Sequence, residues 1–147
     1  MKNDDLRDYL FEQIPLAKAI GMEIKEASSD RVVISAPLGP NSNHMDTAFG
    51  GSLATILILA CYSYLFNRLE MEGFESHVLI KDGHTQYHQP IREDLTAICY
   101  APDKEVLAHF LKVFERRGKA RIKLEALIQT DAEKSCTFTG EFVAVKA

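Results

Sequence analysis

From Leu53 to Phe66 the chain is apolar almost all the way round a helical wheel, interrupted only by Thr55, Tyr62, Ser63 and Tyr64. A helix with no polar face has to be surrounded by the rest of its own domain. The helix is predicted from about Gly51 to Glu70, with Arg68-Leu69-Glu70 and Gly73 marking its exit. The apolar run is too short to cross a bilayer, so a core helix is expected and no membrane partner. The remaining segments must supply its cover.

Most of that cover reads as strands with one dry face. Met22–Glu26 is a weak strand, and Arg31–Leu38 a better one in which Val32, Ile34, Ala36 and Leu38 alternate with other residues. Pro37 suits an edge or a strand end. Ser76–His88 is a long extended segment, and Leu95–Ala101 a strand that follows a turn at Pro90–Asp94. Lys119–Gln129 places Ala120, Ile122, Leu124, Ala126 and Ile128 on one face; Ser135–Val145 does the same with Cys136, Phe138, Phe142 and Ala144. The turn Thr130-Asp131-Ala132-Glu133 joins these two into a hairpin. Two amphipathic helices complete the pattern. Asp4–Ile14 repeats Leu6, Leu10 and Ile14 and is stopped by Pro15. A second starts at Pro102-Asp103-Lys104-Glu105, shows Val106, Phe110, Val113 and Phe114 on one face, and ends at Gly118. About six strands and one helix needing burial on every side point to an α+β fold in which an antiparallel sheet curls around the helix. A doubly wound parallel fold does not fit, and no dinucleotide fingerprint is present.

The chain of 147 residues is read as one domain, 1–147, with 46% hydrophobic residues and a net charge of −4. No basic field recruits nucleic acid. The cluster Arg116-Arg117-Gly118-Lys119 reads as the charged end of a helix. Cys61, Cys99 and Cys136 are odd in number, form no CxxC pair and sit in apolar surroundings, which argues against a disulfide framework or a zinc site. Buried thiols and the absence of a signal-peptide core in Met1–Asp5 lead to the expectation of a cytoplasmic protein. No metal or bound cofactor is expected.

One polar, turn-rich stretch precedes the core helix: Pro40-Asn41-Ser42-Asn43-His44-Met45-Asp46-Thr47-Ala48-Phe49-Gly50-Gly51-Ser52. Two glycines permit a tight turn and a close ligand approach, and a helix N-terminus offers unpaired N–H groups with partial positive charge. Together these are parts of an anion or oxyanion site. Ser52 reads as a helix cap, since no GxSxG elbow makes it a nucleophile. In the long strand, Asp82, His84, Gln86 and His88 share one face and Lys81, Gly83, Thr85 and Tyr87 the other. Both faces are polar, as expected at a wet interface or a substrate channel. His84 and His88 lie roughly 13 Å apart along a strand, too far to share one metal. Asp82 and His84 are closer and can couple as acid and base, or equally serve a cross-strand hydrogen bond at a seam between two copies.

Asn41-x-Asn43-x3-Thr47-x-Phe49-Gly50-Gly51-Ser52, with Tyr87-x2-Pro90-x-Arg92, resembles the signature of hotdog-fold thioesterases. From about Ile14 to Val145 the chain is most similar to the thioesterase domain found at the C-terminus of bacterial YiiD proteins. The resemblance implies six antiparallel strands around a central helix. It also implies a homodimer paired along the long strand, with an acyl-thioester site at the seam where loop 41–52 of one subunit faces Asp82–His88 of the other. Tetramers of such dimers are compatible with it.

A thioesterase must polarise a carbonyl, stabilise its oxyanion and deliver water. Gly50 and Gly51 N–H groups suit the oxyanion. Asp46, the loop's one carboxylate, is the leading candidate base, or else a turn aspartate. Asn43 either holds water, as an Asn does at the matching position of the phenylacetyl-CoA branch, or closes an Asx turn. His44 is a weaker base. Asn41, Thr47, Phe49, Ser52, His84, Tyr87 and His88 are expected to contact substrate. The chain departs from that branch at Ile58, seven residues after Gly51, where the branch carries a helix acid. The reading is hydrolysis of an acyl-CoA or acyl-carrier-protein thioester. A module that binds acyl-CoA without cleaving it, and a hydratase or dehydratase using His44 or His84, are the alternatives.

Overall fold

The computed structural model describes residues 1–131 and 133–147. The helices are α1 (Asn3–Gln13), α2 (Pro15–Ala19), α3 (Gly50–Met71) and α4 (Lys104–Arg117). The strands are β1 (Glu23–Ala27), β2 (Arg31–Ala36), β3 (Ser76–Tyr87), β4 (Leu95–Tyr100), β5 (Lys119–Thr130) and β6 (Glu133–Lys146). They form one sheet in the order β1-β2-β4-β5-β6-β3, with each neighbouring pair antiparallel.

The sheet curls around α3, which packs against β2, β3, β4, β5 and β6. Leu53, Ile56, Leu57, Ala60, Tyr64, Leu65 and Leu69 of α3 are buried against the alternating inner residues of the strands, among them Ile34, Leu124, Ile128 and Phe142. This is the hotdog fold. At 22 residues α3 is in fact long and apolar enough to cross a membrane by length and composition. The length argument from Leu53–Phe66 alone therefore does not hold, and burial inside the sheet is what marks α3 as a core helix.

Several boundaries follow from local chemistry. Gly118 ends α4 with φ of 71°, a left-handed conformation that glycine adopts without strain. Pro37 stops β2 one residue after Ala36. Pro15 does not simply end α1: it is the first residue of α2, where its missing N–H is harmless and its fixed φ suits the helix. On α4, Phe110 and Phe114 are buried but Val106 is 45% exposed, so the apolar face begins one turn later than the pattern implied. Of the hairpin turn, Ala132 lies outside the described residues; β5 and β6 pair along almost their whole length. Cys61, Cys99 and Cys136 are buried free thiols, and burial pushes the Cys61 and Cys136 pKa values up, the latter to about 11.

The edge strand β3 carries a feature that periodicity did not disclose. Its register against β6 shifts between Ile80 and Asp82. The bulge at Lys81 lets Val78 and Ile80 face α3 before it, paired with Ala144 and Phe142. After it Gly83, Thr85 and Tyr87 face the same side, paired with Gly140, Phe138 and Cys136. Asp82, His84 and Gln86 are thereby turned to the outer face of the sheet.

Candidate functional site

Loop 41–49 is built around two asparagines. Asn41 is 2% exposed. Its Nδ2 donates to the carbonyls of Ile20 and Pro37, both at 2.8 Å, while its own carbonyl accepts the Phe49 N–H at 2.7 Å. Asn41 thus clamps the loop to the body of the protein and is turned away from solvent, which removes it from the substrate-facing set. Asn43 closes an Asx turn: its Oδ1 accepts from the N–H groups of Met45 (2.9 Å) and Thr47 (3.2 Å), and its Nδ2 donates to Thr47 Oγ1 at 2.9 Å. Of the two roles left open for Asn43, the geometry displays the turn.

Asp46 sits at the tip of that turn with φ of 58°. Asp tolerates this left-handed conformation better than most residues, and the two bonds to Asn43 Oδ1 flank it and hold it there. Asp46 and His44 are exposed, whereas Thr47 is buried under the loop. The Ala48 N–H donates to the Ile91 carbonyl at 2.8 Å, and Asp94 accepts the Leu38 N–H at 2.8 Å. The segment after β3 therefore braces the loop from the other side.

The N-terminus of α3 follows. Its cap position is Phe49, which offers no side-chain cap. Ser52 lies inside the first turn and does not cap the helix, contrary to expectation. The Leu53 N–H is the first to bond within the helix, to Phe49 O at 3.0 Å. The N–H groups of Gly50, Gly51 and Ser52 have no backbone acceptor among the described residues. The ring of Phe49, 56% exposed, lies over Gly51 so closely that a Cβ there would be 2.4 Å from Phe49 Cε2. Tyr87 comes from β3 to donate its hydroxyl to the Gly50 carbonyl at 3.1 Å. Phe49, Gly50, Gly51, Ser52 and Tyr87 are thus one cluster, with Asp46 and His44 on the loop that leads into it.

The strand histidines are not part of that cluster. His88 Nε2 bonds Thr137 Oγ1 at 2.9 Å, and His84 Nε2 stands 3.7 Å from Asp82 Oδ2, both on the outer face of the sheet. The sheet separates them from the helix N-terminus.

Further along α3, half-exposed Ile58 and Tyr62 lie beside Val78 and Ile80 of β3. They line an apolar groove of about 750 Å³ between α1, α3 and β3, together with Tyr9, Ile14, Val78 and Ile80. Burial and the neighbouring Tyr9 hold the Tyr62 phenol well above its ordinary pKa, so it is neutral there.

Residues 3–146 match the family described as "Putative thioesterase (yiiD_Cterm)". The chain belongs to the YiiD_C family. A protein of unknown function from Chlorobaculum tepidum is 34% identical, with TM-score 0.94 over 99% of this chain and 94% of that one. A "putative thioesterase" from Shewanella oneidensis is 25% identical, with TM-score 0.87 over 97% and 96%. A probable thioesterase from Pseudomonas aeruginosa, 18% identical with TM-score 0.79 over 100% and 97%, shares the fold.

Some residues of this YiiD_C chain that shape the site were not singled out from sequence. Ile91 and Asp94 brace the loop through one backbone and one side-chain bond, and the Pro90–Asp94 turn signal was the trace of that bracing. Tyr9, Ile14 and Ile80 line the groove; nothing in local patterning brings α1 beside an edge strand.

Proposed function

We propose that this protein hydrolyses an acyl thioester, of CoA or of acyl-carrier protein, with the reacting carbonyl held at the N-terminus of α3. The carrying observation is the cluster there: three N–H groups without a backbone acceptor among the described residues, two of them on glycines, at the end of a helix whose Ile58 and Tyr62 line an apolar groove further along. A carbonyl oxygen set against those donors gains negative charge as water adds, and the donors and the helix dipole stabilise it. Asp46 takes the proton from the attacking water. Collapse of the tetrahedral oxyanion breaks the C–S bond and expels the thiolate, which takes that proton from Asp46, leaving a free acid, a thiol and the Asp46 carboxylate. Asn43 acts as a positioning residue, because its Oδ1 fixes the backbone on both sides of Asp46.

A homodimer belongs to this reading. β3 has a partner strand on one side only, and its edge exposes Leu79 at 62% and Ile80 at 42%. Pairing with β3 of a second copy satisfies the unpaired backbone and covers those side chains. It also brings that copy to the open side of the groove; a tetramer built from two such dimers is compatible. The buried free thiols suit a reducing, cytoplasmic setting.

The test is thiol release from purified protein with acyl-CoAs of differing chain. Turnover that Asp46→Ala lowers by about 10²-fold or more supports the assignment; turnover indifferent to it removes Asp46 as the base. A second reading, capture of acyl-CoA without cleavage, is favoured by one observation: the α3 stripe facing the groove presents Ile58 and no acid. Thermal stabilisation by acyl-CoA with no thiol released over hours would select it.

A further inference from the structure

We infer that Tyr87 is a positioning residue for the reaction: its hydroxyl fixes and polarises the peptide that carries the Gly51 N–H, and the bulge in β3 is what brings it there. This rests on the thioesterase reading of the helix N-terminus.

A peptide unit is planar, so the carbonyl of one residue and the N–H of the next turn together. The Gly50 carbonyl is the other end of the amide whose N–H belongs to Gly51. Tyr87 donates its hydroxyl to that carbonyl at 3.1 Å. A helix already uses this carbonyl in its own ladder, and the oxygen has two lone pairs, so the Tyr87 bond is additional to what the helix requires. It also comes from another element, 37 residues away in sequence. The next peptide receives a local bond: Thr55 Oγ1 donates to the Gly51 carbonyl at 2.8 Å, a back-bond familiar for threonine in helices. Each bond draws charge toward its carbonyl oxygen and makes the N–H of the same amide a stronger donor. The two amides concerned carry the Gly51 and Ser52 N–H groups.

Gly50-Gly51 is the part of α3 least able to hold its own orientation, since neither residue has a Cβ and helix ends fray. Two rings hold it. An ideal Cβ on Gly50 would lie 3.5 Å from Tyr87 Cε1 and 3.6 Å from Cζ, so the Tyr87 ring rests against this backbone, while the Phe49 ring covers Gly51. Strand parity decides whether Tyr87 can reach. Unbroken alternation from Val78 and Ile80, which face α3, would put Tyr87 on the outer face with Leu79. The register shift between Ile80 and Asp82 inserts one residue, and Tyr87, paired with Cys136, returns to the side of α3.

The experiment compares wild type with Tyr87→Phe, which keeps the ring and removes only the hydroxyl. It measures kcat and KM for thiol release from octanoyl-CoA, the melting temperature, and the carbonyl-carbon and amide-nitrogen chemical shifts of isotopically labelled glycines. In the variant the Gly50 carbonyl and Gly51 nitrogen resonances should move, while those of Gly73 and Gly118, in distant turns, should stay. The kcat should fall about tenfold, less than the 10²–10³-fold cost of removing a donor outright, with KM within about twofold. Glycine resonances that do not move, or a kcat unchanged whatever the melting temperature does, overturn the inference while hydrolysis stands. Wild-type protein that releases no thiol, but whose Gly51 amide shifts with octanoyl-CoA and whose Tyr87→Phe variant binds it about threefold or more weakly, supports the positioning and removes hydrolysis. Absence of turnover with a Gly51 amide that octanoyl-CoA leaves unmoved, or with equal binding by the variant, overturns both.

Discussion

Gly51→Ala separates the needs of the helix from those of the site. In the first turn of α3 the backbone conformation suits alanine, and replacing glycine by the better helix former gains up to about 1 kcal/mol. Against this, the new Cβ would sit 2.4 Å from Phe49 Cε2 and 3.1 Å from both Cδ2 and Cζ, closer than atoms can pack. The Phe49 ring is 56% exposed and anchored at one end only, so it swings aside rather than unfolding the loop. The two effects nearly cancel, leaving stability within about 1 kcal/mol and the melting temperature within about 4 °C of wild type. Activity should not be spared. The added methyl and the displaced ring crowd the approach to the Gly50, Gly51 and Ser52 N–H groups, and losing effective donation there costs about 10²-fold in kcat. Thiol release and a thermal melt on the same preparation report both quantities. A variant that melts like wild type and turns over like wild type would refute the placement of the carbonyl at this helix end.

Three further outcomes follow from named contacts. Asn41→Ala strips hydrogen bonds from the buried Ile20 carbonyl and the partly buried Pro37 carbonyl, so stability should fall by about 2–3 kcal/mol in a denaturant titration; a loss under about 1 kcal/mol would mean the loop is not clamped there. Leu79→Lys places a charge on the exposed edge of β3 and should convert a dimer to monomer in sedimentation velocity, whereas an unchanged assembly would move the seam elsewhere. Burial raises the pKa values of Cys61, Cys136, Tyr62 and Tyr64, so above their ordinary values of 9.0 for the thiols and 10.0 for the phenols the unfolded chain gives up its protons first. Their contribution is complete below pH 9 and is lost as pH rises, and the melting temperature should decline through pH 9–11; a flat profile there would contradict it.

Much of the fold was legible because burial writes itself into periodicity. The nearly all-round apolar surface of Leu53–Phe66 demanded a wrapping sheet, and the strict alternation in Lys119–Gln129 put Ala120, Ile122, Leu124, Ala126 and Ile128 on the side where all five are buried. The turn-rich loop before Gly50-Gly51 likewise marked where α3 begins. The partners of each loop residue were not legible. Asn41 and Asn43 are the same amino acid in the same loop, yet both are consumed by backbone groups, one of them the distant Ile20 carbonyl, which no local pattern indicates. Alternation alone also assigned Lys81 to the face of Gly83, because one inserted residue at the bulge changes no composition while it reverses every side chain beyond it. His84 and His88 owe their outward position to that same reversal.

The most direct test of the account is a crystal structure of Asp46→Asn with a non-hydrolysable ketone analogue of a medium-chain acyl-CoA. The ketone oxygen is expected within about 2.7–3.1 Å of N–H groups among Gly50, Gly51 and Ser52. An analogue bound instead on the outer face of the sheet, beside His84 and His88, would contradict it.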